Sequence, residues 1–334
     1  MENPYVFVDN TSPEIEYVGD WEVDTVNSNN TFGGSQNVYR VGSSNSTAYM
    51  EFKIVGKGAE VYGTYDSALE LKSQMDGSIY TSLDDGKGNP GGRKGVRIFD
   101  LGSLSGPRTI NIQPLAGQFI VDYLIYPPTG RTEFSGKQLV FDDTNPSLNF
   151  SGAWTPRAKF NASALPFNNT LTSTSQKGAS FAIDFVGSSV AVYGAFNSTT
   201  GPLSATFSID GSNPSPVQLI NQTATTTDWT LHRQFFQYTF SDPNTETPHV
   251  LNVTIVEASE SQPFTLDYIL ATGNSHTKLL ERQFLKTGSE AKSTGLRVGL
   301  IVLGIALALF AWFVFSKWRE RKRKAKGLAE LSKP

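Results

Sequence analysis

The chain has no cysteine among its 334 residues, which excludes disulfides, thiol catalysis and thiolate metal sites outright. Histidine is nearly absent: His232, His249 and His276 are the only three, and none has a catalytic or metal-ligating neighbour at motif spacing. All three fall in predicted loops, strand starts or the polar stretch after residue 273, so surface positions are expected for them. H-E-x-x-H and G-x-S-x-G are missing too, which removes the zinc-protease and nucleophile-elbow signatures. A sustained helical period is lacking from residues 1–273. No secretory leader is legible in MENPYVFVDN, so either a leader precedes this chain or a later span directs insertion. One motif matches by letter only. Residues 86–91 read G-x-G-x-x-G, but Pro90 and the following strand-like GRKGVRIF make them a hairpin loop rather than the strand-to-helix turn of a dinucleotide site.

What is present is one unit written twice. VFVDNTSPEIEYVGDW at 6–21 returns as LVFDDTNPSLNFSGAW at 139–154, pairing Asp9 with Asp142, Thr11 with Thr144, Pro13 with Pro146 and Trp21 with Trp154. FKIVGKGAEVYGTY at 52–65 returns as IDFVGSSVAVYGAF at 183–196, and FIVDYLI at 119–125 as FTLDYIL at 264–270. The offset drifts between these matches, so the copies differ by loop insertions.

Residues 298–315 form an apolar run of eighteen without a charge, about 27 Å as a helix. We read residues 298–316 as a membrane span. The tail 317–334 carries eight Lys/Arg and two Glu, a local charge of +6 on a chain of −3. The positive-inside rule then keeps the tail cytosolic and the N-terminal residues outside a plasma or secretory-pathway membrane, with Trp312 and Trp318 as interfacial anchors. Membrane lipid, held through 298–316 and the basic tail, is therefore an expected partner; nucleic acid is not. Nine of twenty asparagines sit in Asn-x-Ser/Thr. Asn29, Asn45, Asn149, Asn161, Asn168, Asn197, Asn221 and Asn252 are candidate glycosylation sites, and Asn10 is weaker because a proline follows its sequon. Asn149 and Asn252 alternate with apolar neighbours, which places them on the solvent face of a strand.

Both copies read as strand. Phe181, Ile183 and Phe185 alternate; Val190 and Val192 restart the pattern; Asp76-Gly77 and Asp210-Gly211 mark hairpins. Eight or so short strands per copy predict an all-β fold of two tandem antiparallel jelly-roll β-sandwiches, followed by one C-terminal transmembrane α-helix. The domains are 1–128 and 139–273, joined by a linker at 129–138; a polar stalk at 274–297 leads to the span. The D-D/N-T-S/N-P-x-I/L-x-aromatic-x-G-x-W opening, the V-Y-G centre, the D-G-S hairpin and the F-x-x-D-Y strand resemble the tandem extracellular domains of fungal, basidiomycete-type single-pass membrane proteins. Each unit is similar to the galactose-binding-like jelly roll. Asn10 departs from that pattern, which favours a second Asp, and so does Met75 in the hairpin.

Candidate ligand residues are few. Sugar rings stack their C–H faces on aromatics, and Trp229 lies in an unrepeated loop beside Asp228, His232 and Arg233, which makes Trp229, Asp228 and Arg233 the candidate ligand contacts. Trp21, Trp154, Tyr62 and Tyr193 occupy repeated positions and are expected to pack. The acidic pairs Asp84-Asp85 and Asp142-Asp143 are open to three readings, an Asx-type turn, a structural calcium or a glycosidase-type pair of carboxylates; no metal or other cofactor is otherwise expected. The primary functional reading is non-enzymatic binding of glycan or cell-wall polymer at a cell surface. The alternative is an adhesive spacer that binds protein partners, and the third is a glycan hydrolase, which would need a repeat-unmatched pair of acids in one cleft. Function is expected where the copies differ, at 24–47, 84–95, 157–177 and 221–236.

Overall fold

The computed structural model describes residues 4–25, 30–42, 48–66, 68–80, 94–102, 106–158, 163–196, 201–213, 215–220 and 229–279. Among these, the first copy forms β1 (Tyr5–Asp9), β2 (Ile15–Val18), β3 (Glu22–Asp24), β4 (Gln36–Arg40), β5 (Tyr49–Val55), β6 (Glu60–Tyr65), β7 (Glu70–Met75), β8 (Ser78–Tyr80), β9 (Val96–Asp100), β10 (Pro107–Ala116) and β11 (Gln118–Tyr126). The second repeats them in order: β12 (Gln138–Asp142), β13 (Asn149–Ser151), β14 (Thr155–Ala158), β15 (Thr170–Thr174), β16 (Ser180–Phe185), β17 (Ser189–Phe196), β18 (Leu203–Ile209), β19 (Val217–Ile220), β20 (Thr230–Thr239), β21 (His249–Glu257) and β22 (Phe264–Thr272). That is eleven described strands per copy rather than eight, because three-residue strands such as β3 and β8 are too short to show alternation. The fold is all-β and antiparallel. The candidate span 298–316, the tail, the stalk beyond 279, residues 86–91 and Asp84-Asp85 lie outside the described residues. Among the described residues no helix is long and apolar enough to cross a membrane.

Each half is a sandwich. One sheet runs β2-β5-β10-β7-β8 and its counterpart β13-β16-β21-β18-β19. Their alternation follows the sequence: Met50, Phe52 and Ile54 of β5 are buried while Lys53 is exposed, and Phe181, Ile183 and Phe185 of β16 are buried while Asp184 is exposed. The facing layer of the first half is built on β11, which pairs β6 on one edge and β1 and β4 on the other; β22 does the same with β17, β12 and β15. Asp76 and Gly77, both at positive φ, join β7 to β8 in a two-residue turn. Asp210 and Gly211 turn the same way, but β19 begins only at Val217, so the second hairpin has a longer loop.

The two halves share a sheet. β1 pairs antiparallel with β12, with Tyr5 opposite Val140, Val6 opposite Leu139 and Phe7 opposite Gln138. Val6 and Leu139 are repeat-equivalent, so the register is that of a local two-fold axis between them, an isologous contact within one chain. Twelve described strands thereby form one continuous layer, and Met1–Leu279 is one compact unit. At the axis both faces of this layer are covered. Phe7, Tyr123, Ile125, Val140, Tyr268 and Leu270 form a second apolar cluster with Phe32 and Phe167, which explains why β11 and β22, between their end residues, are apolar on both faces apart from Asp122, Thr265 and Asp267.

The connection at 129–138 packs instead of spanning a gap. The Thr129 N–H donates to Thr132 Oγ1 at 2.8 Å, the Thr132 hydroxyl donates to the Val55 carbonyl, and Phe134 is buried. Asn274 N–H to Thr277 Oγ1 at 2.8 Å and Thr277 hydroxyl to the Val186 carbonyl repeat this arrangement, and Leu279 packs where Phe134 does. The structural repeat thus runs on to 134 and 279, and residues 274–279, expected at the start of a stalk, are docked on the body.

Candidate functional site

The repeated motifs turn out to hold the fold together. Asp122 and Asp267, from the D-Y strands, sit on β-bulges and accept hydrogen bonds from the backbone N–H of Phe32 and Phe167, each at 3.0 Å. Burial pushes both carboxyls well above the usual carboxylate range. The glycine of V-Y-G permits that bulge: a Cβ on Gly63 would lie 2.0 Å from the Ile120 carbonyl oxygen, and one on Gly194 2.3 Å from that of Thr265. Trp21 and Trp154 are packing residues, as their repetition predicts. Each indole N–H donates to a carbonyl three residues back, Val18 at 3.2 Å and Ser151 at 3.0 Å, beside Phe119 and Phe264 respectively. Tyr62 stacks on Tyr123 and Tyr193 on Tyr268.

The Asp142-Asp143 pair makes a turn. Asp142 accepts from Thr144 Oγ1 and, at 3.2 Å, from the Asn168 amide, while Asp143 accepts from Thr170 and Thr172 hydroxyls, each at 2.6 Å. Asp9 bonds Thr11 in the same way. Burial, and next the Asp142 charge, raise the Asp143 carboxyl to about 7 against the lowering effect of the threonines. Among the described residues no group of three His, Asp or Glu is placed to hold a metal.

Two histidines depart from the surface positions expected for them. His232 sits at φ +51 within β20, buried, with Nδ1 3.1 Å from the Tyr268 hydroxyl and 4.0 Å from Asp267 Oδ2. Desolvation lowers its pKa to about 4, so it stands beside Asp267 as a neutral group and not as an ion pair. His249 is buried against Phe240, ring centroids 3.7 Å apart, with Nδ1 2.7 Å from Asp210. Periodicity missed both because a bulged strand and a strand start carry no regular in–out alternation.

Trp229 lines an open cleft of about 270 Å³ at one end of the second half. Its half-buried ring packs against the small cluster of Ala164, Leu171, Ala195 and Leu231, and the Arg157 guanidinium carbon stands 5.6 Å from its centroid. Arg157 is brought there by the edge strand β14, which pairs with β15. Glu260 and Ser261 come from the turn between β21 and β22, tightened by reciprocal backbone bonds between Ser259 and Gln262. Among the described residues neither Arg157 nor Glu260 has an ion-pair partner. Arg157 corresponds through strand register to Asp24, and Leu171 to Gln36, so the first half cannot form the same cleft. Four lining residues, Arg157, Leu171, Ser173 and Trp229, fall in the unrepeated segments 157–177 and 221–236. Arg233 is exposed on β20 opposite Gly194 and does not line the cleft; Asp228 lies outside the described residues. Glu260 was not foreseen, because nothing local marks a turn residue as a neighbour of a tryptophan thirty positions earlier.

A second cleft, of about 160 Å³, opens between the halves, with Tyr5, Glu60, Tyr62 and Arg97 from the first and Asp142 and Asn168 from the second. Tyr62 donates to Glu60 at 2.6 Å, and Arg97 lies 3.8 Å from Glu60 and 3.1 Å from Asp100. Of its two acids only Glu60 is unmatched, since register places Ala191 at its equivalent and Asp9 is the counterpart of Asp142.

Of the candidate sequons, Asn149, Asn168 and Asn252 are exposed, and Asn252 lies between buried Leu251 and Val253 on β21. Asn10 is buried with its side chain on Asn37, so the folded chain does not present it. Asn29, Asn45, Asn161, Asn197 and Asn221 lie outside the described residues.

No family model and no curated protein matches the chain. Among solved structures, a two-domain esterase active on acetylated mannans, co-crystallised with mannopentaose, is 18% identical over 45% of this chain, with a TM-score of 0.31. The chain spans 40% of the length of that esterase. The N-terminal tandem CBM22 domain of a Paenibacillus barcinonensis protein is 11% identical over 81% of this chain and 98% of its own, with a TM-score of 0.29. A peptide-N(4)-(N-acetyl-β-D-glucosaminyl) asparagine amidase is 11% identical over 79% of this chain and 98% of its own, with a TM-score of 0.26. None of these three places the chain in a family.

Proposed function

We propose that this is a non-enzymatic, single-pass cell-surface protein that binds glycan or cell-wall polymer at the Trp229 cleft. Its β-sandwich halves lie outside a plasma or secretory-pathway membrane, anchored by residues 298–316, with the basic tail cytosolic. The observation that carries the reading is one open cleft holding an indole and, without ion-pair partners among the described residues, a guanidinium and a carboxylate. A sugar ring offers complementary chemistry: an apolar C–H face for the indole, and adjacent hydroxyls that donate to Glu260 and accept from Arg157. Common glycoside hydrolysis requires two carboxyl groups flanking the bond. The described lining supplies Glu260 alone, which supports binding over cleavage.

Glycan-array binding by the full chain tests this. Trp229→Ala is expected to weaken the best neutral wall-polysaccharide signal about tenfold, equivalent to ~1.4 kcal/mol. Arg233→Ala, outside the cleft, is expected to leave it unchanged. Absence of wild-type binding to every wall polysaccharide refutes the reading and favours the adhesive spacer.

A further inference from the structure

The first half carries a cleft larger than the Trp229 site. It has a volume of about 500 Å³ and is bounded by the ends of β5 and β10, the β7–β8 turn and the connection that follows β11. Four cations line it, Lys53, Arg108, Arg131 and Lys137, against two acids, Asp76 and Glu133, a local charge of +2 on a chain of −3. Two of the cations are spent internally: Arg108 Nη1 is 3.3 Å from Asp76 Oδ2, and Lys137 Nζ is 2.5 Å from Glu14 Oε2. Asp76 is held further by the Thr109 N–H at 3.0 Å. Lys53 and Arg131 are exposed and have no carboxylate partner among the described residues.

The second half has lost this character at the same positions. Strand register puts Asp184 at the place of Lys53 and His249 at that of Arg108, and the repeated 129–134/274–279 turn puts His276 at that of Arg131. There the bond corresponding to Arg108–Asp76 is His249–Asp210, and Phe240 stacks on the histidine. The basic cleft therefore belongs to one copy of a duplicated fold, which a merely solvated charged face does not explain.

We propose that this cleft binds an acidic polysaccharide, its carboxylates engaged by Lys53 and Arg131. Its volume falls in the range of sites for multi-ring ligands, about 300–1,000 Å³, and exceeds what one small oxyanion fills. Its concave shape suits a chain segment better than a flat lipid surface. Guanidinium groups take carboxylates in a planar fork, while the lysine contributes a point charge, so binding weakens with added salt.

The test is titration of the full chain with polygalacturonate, neutral mannan, inorganic phosphate and anionic phospholipid vesicles. Polygalacturonate is expected to bind most tightly, and the double variant Lys53→Glu/Arg131→Glu to lose about tenfold or more in affinity while keeping its melting temperature. Trp229→Ala is expected to bind polygalacturonate like wild type, which separates this site from the one proposed above. The inference is overturned if the double variant binds polygalacturonate undiminished, if phosphate alone binds as tightly, or if vesicles bind and the polymer does not.

Discussion

Acid should destabilise this protein through His232, and the size of the effect follows from its surroundings. The imidazole is buried beside Tyr268 and Asp267, with Nε2 unpartnered among the described residues, and its pKa falls from 6.5 to about 4. Above pH 6.5 it is neutral in both folded and unfolded chains. As the pH falls from 6.5 toward 4 the unfolded chain takes up a proton that the folded chain refuses, so stability is lost over that window. A depression of this size corresponds to about 3 kcal/mol, or roughly 6–12 °C in Tm for a unit of this length. Asp122 and Asp267, raised instead, work in the opposite sense, so the histidine must be isolated by difference. His232→Asn is the suitable replacement, since asparagine tolerates φ +51 and its amide can reach the Tyr268 hydroxyl as Nδ1 does. Urea denaturation of wild type and variant at pH 7, 6, 5 and 4 should show a wild-type advantage of roughly 2 kcal/mol at pH 7 from lost packing. That advantage should shrink, then reverse, by pH 4. Parallel profiles would refute a buried neutral imidazole. A wild-type advantage that grows on acidification would show that His232 is charged and paired with Asp267.

The two D-Y aspartates give the mirror-image test. Their raised folded pKa values contribute stability below pH 3.8 that is lost as pH rises, so Asp122→Asn and Asp267→Asn, which keep an acceptor for Phe32 or Phe167, should melt higher than wild type at pH 8 and no higher at pH 3.5. Thermal melts that show no pH-dependent difference would contradict carboxyls raised by burial. Gly63→Ala and Gly194→Ala place a methyl against a carbonyl in the bulge and should each cost about 3 kcal/mol in denaturant unfolding; a cost under about 1 kcal/mol would mean the bulge is not tightly packed.

Much of the fold was legible because its signals are local. Period-2 burial in β5 and β16 and the Asp-Gly turn after β7 each depend on a few neighbouring residues, and the duplication lets each half corroborate the other. The three-residue strands escaped because alternation needs length, and the buried histidines because bulges and strand starts suspend it. At the candidate site Trp229 was legible as an unrepeated aromatic in a polar loop. Arg157 and Glu260 were not, since β14–β15 pairing and the β21–β22 turn bring them from about seventy residues before it and thirty after.

By itself the sequence determined an all-β chain built from one unit used twice, with conserved spacing of bulge aspartates, bulge glycines and packing tryptophans, because apolar period and backbone conformation are properties of neighbouring residues. Only tertiary structure decided that the copies merge through β1 and β12 about a two-fold axis, and that the connection at 129–138 walls a basic cleft instead of separating domains. The physical reason is that strand pairing satisfies backbone N–H and C=O groups, which every residue but proline carries alike. Which two apolar strands meet is therefore set by the closure of the whole layer and by what covers its faces, and neither is written in any local pattern.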